Sequence, residues 1–142
     1  MSLNVQVKID VILHSTENQE KIFNSFFEVF DLKRDIFQIQ NLIGHFENPI
    51  TLVSVNLKKK NAEVFINSLL DLFTKKDYNE IYENIEENMP SSGLKIKISK
   101  QKMIEGKIIL ENSDAIKINI ASPVYVKKDS KKIYQQLLQL AK

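Results

Sequence analysis

The chain has no cysteine, only three glycines and only three prolines. Without cysteine there is no disulfide scaffold, no thiolate metal site and no cysteine nucleophile, and the composition fits a reducing compartment. With Gly44, Gly93 and Gly106 as the full glycine complement, neither a G-x-G-x-x-G fingerprint nor a P-loop can be built. The longest apolar stretches are broken by charge, and the N-terminus lacks the order of charge, apolar core and cleavage site that marks a secretory signal. The expected address is cytoplasmic, with no membrane partner. No serine sits in a nucleophile-elbow context. The two histidines, His14 and His45, are far apart in sequence. No metal, cofactor or catalytic residue is expected, so the reading is of a protein that is not an enzyme. His14, at a strand end, is expected to take a hydrogen-bonded structural role.

What is present is an ordinary globular composition, 43% hydrophobic over 142 residues, which fits one domain spanning 1–142. Net charge is only +2, but it is unevenly spread. From Lys95 to Lys142 eleven lysines face four acids, a net of +7; from Asn61 to Pro90 seven acids face two lysines, a net of −5. A chain polarised in this way presents different surfaces to different partners.

Hydrophobic periodicity supplies the elements. Val5, Val7, Ile9, Val11 and Leu13 alternate with polar residues as a first strand. Thr16 with Gln19 reads as a capping box, opening a helix with Ile22, Phe23, Phe26, Phe27 and Phe30 on one side. Residues 34–42 read as a second strand with Phe37 and Ile39 inward, and 50–58 as a third with Val53, Val55 and Leu57 inward. Asn61 and Asp77 read as caps of two further helices. Leu94, Ile96 and Ile98 mark strand four, Ile108 and Leu110 strand five, and Ile116, Ile118 and Ile120 strand six. A last helix starts at Asp129 or Ser130. The order β-α-β-β-α-α-β-β-β-α lacks βαβ regularity. It predicts an α+β fold, a largely antiparallel sheet with helices packed on one face.

Strand parity then sorts the outward residues. They are Asn4, Gln6, Lys8, Asp10, Arg34, Gln38, Gln40, Ser54, Asn56, Lys58, Lys95, Lys97, Ser99, Lys107, Glu111, Lys117 and Asn119. Cations and amides dominate, and only two are acids. Lysines neutralise phosphates, while Asn and Gln donate and accept at base edges or sugar hydroxyls. The bland alternative is a solvated sheet face whose lysines discourage edge pairing. A second basic group, Lys127, Lys128, Lys131 and Lys132, spans a turn and the start of the last helix. No outward strand position offers an aromatic ring, so a base-stacking platform is not expected. Recognition would run through backbone and shape. Phe46 and Tyr125 are the only stackers on offer.

Three stretches together resemble a known family. They are Val11-Ile12-Leu13-His14-Ser15-Thr16-Glu17, then Gly44-His45-Phe46-Glu47-Asn48-Pro49-Ile50, then Ser99-Lys100-Gln101-Lys102 continuing to Gly106. In order and spacing they are similar to the archaeal RNA-binding, exosome-subunit-like proteins, over nearly the whole chain. Glu47 stands where glycine is usual in that family, and Ser99 where aspartate is. The resemblance implies a fold similar to certain ribosomal proteins, RNA as partner, and association with RNA-processing or exosome proteins.

The leading expectation is therefore a non-catalytic RNA-binding protein. Lys95, Lys97, Lys100, Lys102, Lys107 and Lys117 would contact phosphates, with Lys127 and Lys128 beside them. His45, Phe46 and Asn48 in the Gly44–Pro49 loop would add local selectivity. The alternative is a protein-interaction or dimerisation module, such as a homodimer, without nucleic-acid binding. A third reading, a small-molecule enzyme, would need a pocket at His14 and His45.

Overall fold

The computed structural model describes residues 5–85 and 93–122, together with Tyr134 and Leu138. Five strands form one antiparallel sheet: β1 (Gln6–His14), β2 (Gln38–Ile43), β3 (Pro49–Lys58), β4 (Leu94–Ser99) and β5 (Ala115–Ala121). Their order across the sheet is β2-β3-β1-β5-β4. Helices α1 (Gln19–Phe30), α2 (Lys59–Leu72), α3 (Lys75–Glu83) and α4 (Lys100–Ile104) accompany them. The architecture is α+β, as the periodicity predicts.

The helices pack on one face because every second residue of the central strands is apolar. Val7, Ile9, Val11 and Leu13 of β1, with Ile116, Ile118 and Ile120 of β5, are all buried. Against them lie Ile22, Phe23 and Phe26 of α1 and Phe65, Ile66, Leu69 and Leu70 of α2. Phe37 enters this core just before β2, its ring 4.9 Å from that of Phe26 and 5.6 Å edge-on from Phe23. Each such side chain stabilises the fold by roughly 1.5–3 kcal/mol on full burial. Tyr134 and Leu138 are buried in the same cluster.

Several local expectations need correction. Residues 34–36 form a 3-10 turn, and β2 starts only at Gln38. Arg34 is consequently not a strand residue; its guanidinium pairs with Glu20 and lies 4.5 Å above the Phe23 ring. Ile39, expected inward, is 43% exposed because it sits on the sheet edge. The segment expected as strand five contributes only a single bridge, Ile98 to Leu110. Between β4 and that segment the chain inserts α4, whose first turn is capped by Ser99 Oγ accepting from Lys102 N–H at 3.1 Å. Ser99 is therefore buried rather than outward. The cap of α1 is Asn18, not Thr16, its Oδ1 accepting from Glu20 and Lys21 N–H. Thr74, not Asp77, caps α3, and α2 begins at Lys59 without a side-chain cap at Asn61. Of the last expected helix only Tyr134 and Leu138 are described, both helical, and the basic group Lys127, Lys128, Lys131 and Lys132 lies outside the described residues.

Candidate nucleic-acid interface

The face of the sheet opposite α1 and α2 is built from rows of residues in register. One row runs Gln38, Ser54, Asp10, Lys117, Lys97 across β2, β3, β1, β5 and β4. The next runs Asn56, Lys8, Asn119, Lys95. Gln6 lies between Lys58 and Ala121. Among the described outward strand positions Asp10 is the only acid, and none is aromatic. Lys8, Lys95, Lys97 and Lys117 are all exposed. Lys97 stands directly opposite Lys117. Like charges in that position destabilise a sheet, so this pairing has no folding rationale.

The other end of the same face is different in character. Gln40, Leu52 and Ile12 form one row and Leu42, Ile50 and His14 the next. Here β1 ends, β3 begins, and the loop between β2 and β3 projects. Gly44 N–H donates to Asn48 O at 2.8 Å and closes this loop. Within it Phe46 is 100% exposed. Phe46 and Glu47 have φ of 62° and 60°. Two successive non-glycine residues in the left-handed region cost roughly 1–2 kcal/mol each. Glu47, standing where glycine is usual in the resembling family, is thus in a backbone conformation glycine adopts freely. Glu47→Gly should relieve that strain and give up roughly 0.5–1 kcal/mol to chain entropy. The net expectation is a gain of about 0.5–1 kcal/mol. Urea unfolding reads it, and an unchanged or lower midpoint contradicts it.

The three stretches that carry the family resemblance are scattered in sequence but meet at this end of the sheet. His14 is the register partner of Ile50. Lys100 reaches back from the start of α4 to the end of β1. Its Nζ donates at 2.9 Å to Ile12 O, to Glu17 Oε1 and to Asp114 Oδ1. Lys100 is 5% exposed. It is therefore removed from the set of surface lysines in which the sequence places it: its three donors are spent inside the protein. Glu17 Oε1 also accepts from His14 N–H at 2.9 Å, and His14 Nε2 lies 3.3 Å from Asp114 Oδ1. This gives His14 the structural role expected of it. Beside the cluster, Gln19 Nε2 donates to Thr51 Oγ1, which donates to Asn41 Oδ1, each at 3.1 Å.

His14, Glu17 and Asp114 bring their ligand atoms within 4.8 Å of one another. A cation is already in place among them: the Lys100 ammonium sits between the two carboxylates and offsets one of their two charges. The arrangement is a brace that ties β1, α4 and the start of β5 together. Burial raises the Asp114 carboxyl pKa, but hydrogen bonds and charge from Lys100, then His14, outweigh it and hold the group below its ordinary 3.8. A carboxylate with a depressed pKa contributes stability above its unfolded value and loses it as pH falls through the folded one. Asp114→Asn should therefore be less stable than the parent at neutral pH, by no more than about 1 kcal/mol given its exposure. The gap should close on acidification below the ordinary value of 3.8. Urea unfolding of both chains at pH 7 and pH 3 reads this, and a gap independent of pH contradicts it.

The remaining sequence candidates fall into two groups. Lys95, Lys97 and Lys117 share the open face. Lys107 is exposed in the turn after α4, and Lys102 is exposed with Glu105 at 3.8 Å. His45, Phe46 and Asn48 belong to the projecting loop at the other end. Lys127 and Lys128 are outside the described residues. Lys8, which parity places outward, belongs with the first group through its row with Asn119 and Lys95. Asp114 was missed, because its partners lie 14 and 100 residues away. Glu17, three residues after His14, was within reach of a spacing argument. No helix among the described residues is long and apolar enough to cross a membrane.

A family model described by RNA binding, rather than by a reaction, matches residues 6–122. The RNA-binding protein PAB1135 of Pyrococcus abyssi is 29% identical over 121 residues, covering 80% of this chain and 79% of that protein. The fold is shared with a crystal structure from Archaeoglobus fulgidus at a TM-score of 0.79 and 26% identity, covering 93% of this chain and 97% of the other. A second crystal structure, from Sulfolobus solfataricus, matches at a TM-score of 0.75 and 25% identity, covering 96% of each chain.

Proposed function

The chain belongs to this RNA-binding family, and on that premise we propose that it binds RNA without acting on it chemically, using the open face of its sheet. The observation that carries the reading is the pair of rows at β1, β5 and β4. Lys8, Lys95, Lys97 and Lys117 stand there in register with amides and a single acid. Lysines on a rigid sheet neutralise phosphates at fixed spacing, and the neighbouring Asn and Gln side chains can reach sugar hydroxyls. Lys102, on α4, and Lys107, in the turn after it, are exposed and would add phosphate contacts beyond β4. The absence of rings on the described outward strand positions makes this a surface for backbone and shape, not for stacking successive bases. The Gly44–Asn48 loop, with His45, Phe46 and Asn48, supplies a separate contact at the far end. A role as an accessory to RNA processing, alongside exosome proteins, is the setting that the family resemblance suggests.

Equilibrium titration of the full chain with single-stranded and structured RNA at low salt tests the reading. Binding to either class supports it. No binding to either at low salt contradicts it, because the electrostatic contribution is strongest there.

A further inference from the structure

The two edges of the sheet are treated differently. β4 carries Lys95 and Lys97, and the 109–111 segment lies along it. Ser99 N–H donates to Ile109 O at 2.9 Å and Glu111 N–H to Lys97 O at 3.0 Å. β2 is the opposite edge. One side of it pairs with β3, and among the described residues no strand pairs with the other. Its sequence, Gln38-Ile39-Gln40-Asn41-Leu42-Ile43, has no charge and no proline, in a chain that is 27% charged. All six residues are exposed, Ile43 at 71%. Soluble proteins protect a free edge with lysine, proline, a bulge or a covering segment. β2 has neither lysine nor proline, so its open ladder is fitted to receive a strand.

We propose that β2 is a homodimer interface, pairing antiparallel with β2 of a second copy about a two-fold axis at Asn41. The two five-stranded sheets would become one continuous sheet. The composition of the strand argues for a second copy rather than a foreign strand. A two-fold interface must be self-complementary, and Ile39-Gln40-Asn41-Leu42-Ile43 is nearly palindromic about Asn41. Antiparallel pairing there sets Ile39 opposite the partner's Ile43, Gln40 opposite the partner's Leu42 and Asn41 opposite the partner's Asn41. Opposed residues share a face of the sheet. The isoleucine pairs therefore lie on the helix side, where Ile39 and Ile43 already oppose Val53 and Pro49 of β3. Centring the axis on Gln40 instead would set Ile39 against an asparagine and lose both apolar pairs.

The ends of the strand fit the same symmetry. Ile36, 44% exposed, lies before β2, and Phe46, 100% exposed, lies after it. A two-fold brings the first end of one copy to the second end of the other. Lys95, Lys97 and Lys117 lie on strands at the far side of the sheet from β2, and β2 itself carries no charge. This assembly does not depend on RNA binding.

Size exclusion with light scattering on the full chain, at high micromolar concentration, should give twice the 16.5 kDa chain mass. Ile39→Lys with Ile43→Lys should run as a monomer. Both positions are exposed, so an unchanged circular dichroism spectrum is expected and separates lost pairing from lost folding. The chain has no cysteine, so Asn41→Cys introduces its only thiol. Mild oxidation should link two such copies through one disulfide, while an Asn24→Cys control on α1 stays unlinked. A monomeric parent chain overturns the proposal. So does a dimer that survives both lysines, or one that position 41 fails to link.

Discussion

Gly93→Ala is expected to remove about 3 kcal/mol of folding stability, the sum of backbone strain and overpacking. Gly93 lies at the entry to β4 with φ +132°, a conformation that side-chain-bearing residues rarely adopt. An added Cβ would stand 2.5 Å from Ile120 O and 3.2 Å from its carbonyl carbon. Those atoms are backbone of β5, held by pairing with both β4 and β1. They cannot swing aside as a flexible side chain would. The loss corresponds to a fall in Tm of roughly 10 °C for a chain of this size. Gly106 provides the contrast. Its φ is +82°, but a Cβ there meets nothing within 4 Å. Gly106→Ala should cost only the backbone strain, about 1 kcal/mol. Thermal unfolding of both variants separates the two effects, and equal losses would contradict the close approach at Ile120.

Much of this sheet is legible in the sequence, because its central strands bury one face and expose the other. A period of two then assigns inside and outside without reference to partners. β1 and β5 follow it along their whole length, and β4 as far as Ser99. Parity therefore placed Lys8, Lys95, Lys97 and Lys117 on the face where they are found. β2 broke the rule. An edge strand that the helices do not cover leaves both faces exposed, so alternation stops reporting burial. Caps were misassigned where two capping residues compete within one turn, as Thr74 and Asp77 do. The hydroxyl of Thr74 accepts from Asp77 N–H, so the later residue is already inside the helix.

Lys100 is the instructive miss. In sequence it is one lysine among Lys95, Lys97, Lys102 and Lys107. Nothing local separates it from its neighbours. Its burial depends on Glu17, which is 83 residues away, and on Asp114 across the α4–β5 connection. The one signal pointing to it was the family resemblance, in which the stretches holding Lys100 and Glu17 occur together. Residues that recur as a set across a chain are candidates for contact, whatever their separation.

Replacing Lys95, Lys97 and Lys117 together with glutamine should weaken binding to single-stranded RNA by about 100-fold at 0.1 M salt. Three lost phosphate contacts, each worth about 0.7 in log–log slope, give that factor. Loss of fold is not a competing explanation. The substitution removes the directly opposed pair Lys97 and Lys117, so the variant should be at least as stable as the parent. Lys21→Gln with Lys33→Gln, outside the open face, should leave affinity within a few-fold. Comparable losses from the two sets would mean that net charge, not the sheet face, governs binding.

The salt dependence of RNA affinity, measured for the parent chain and for the Lys95, Lys97 and Lys117 variant, tests the phosphate-binding face most directly. With about five phosphates engaged, the parent slope of log affinity against log salt should be near −3.5. The variant should fall to about −1.4, a difference set by three contacts. A flat parent slope, or a variant with the parent's slope, would contradict a phosphate-binding face on strands β4 and β5.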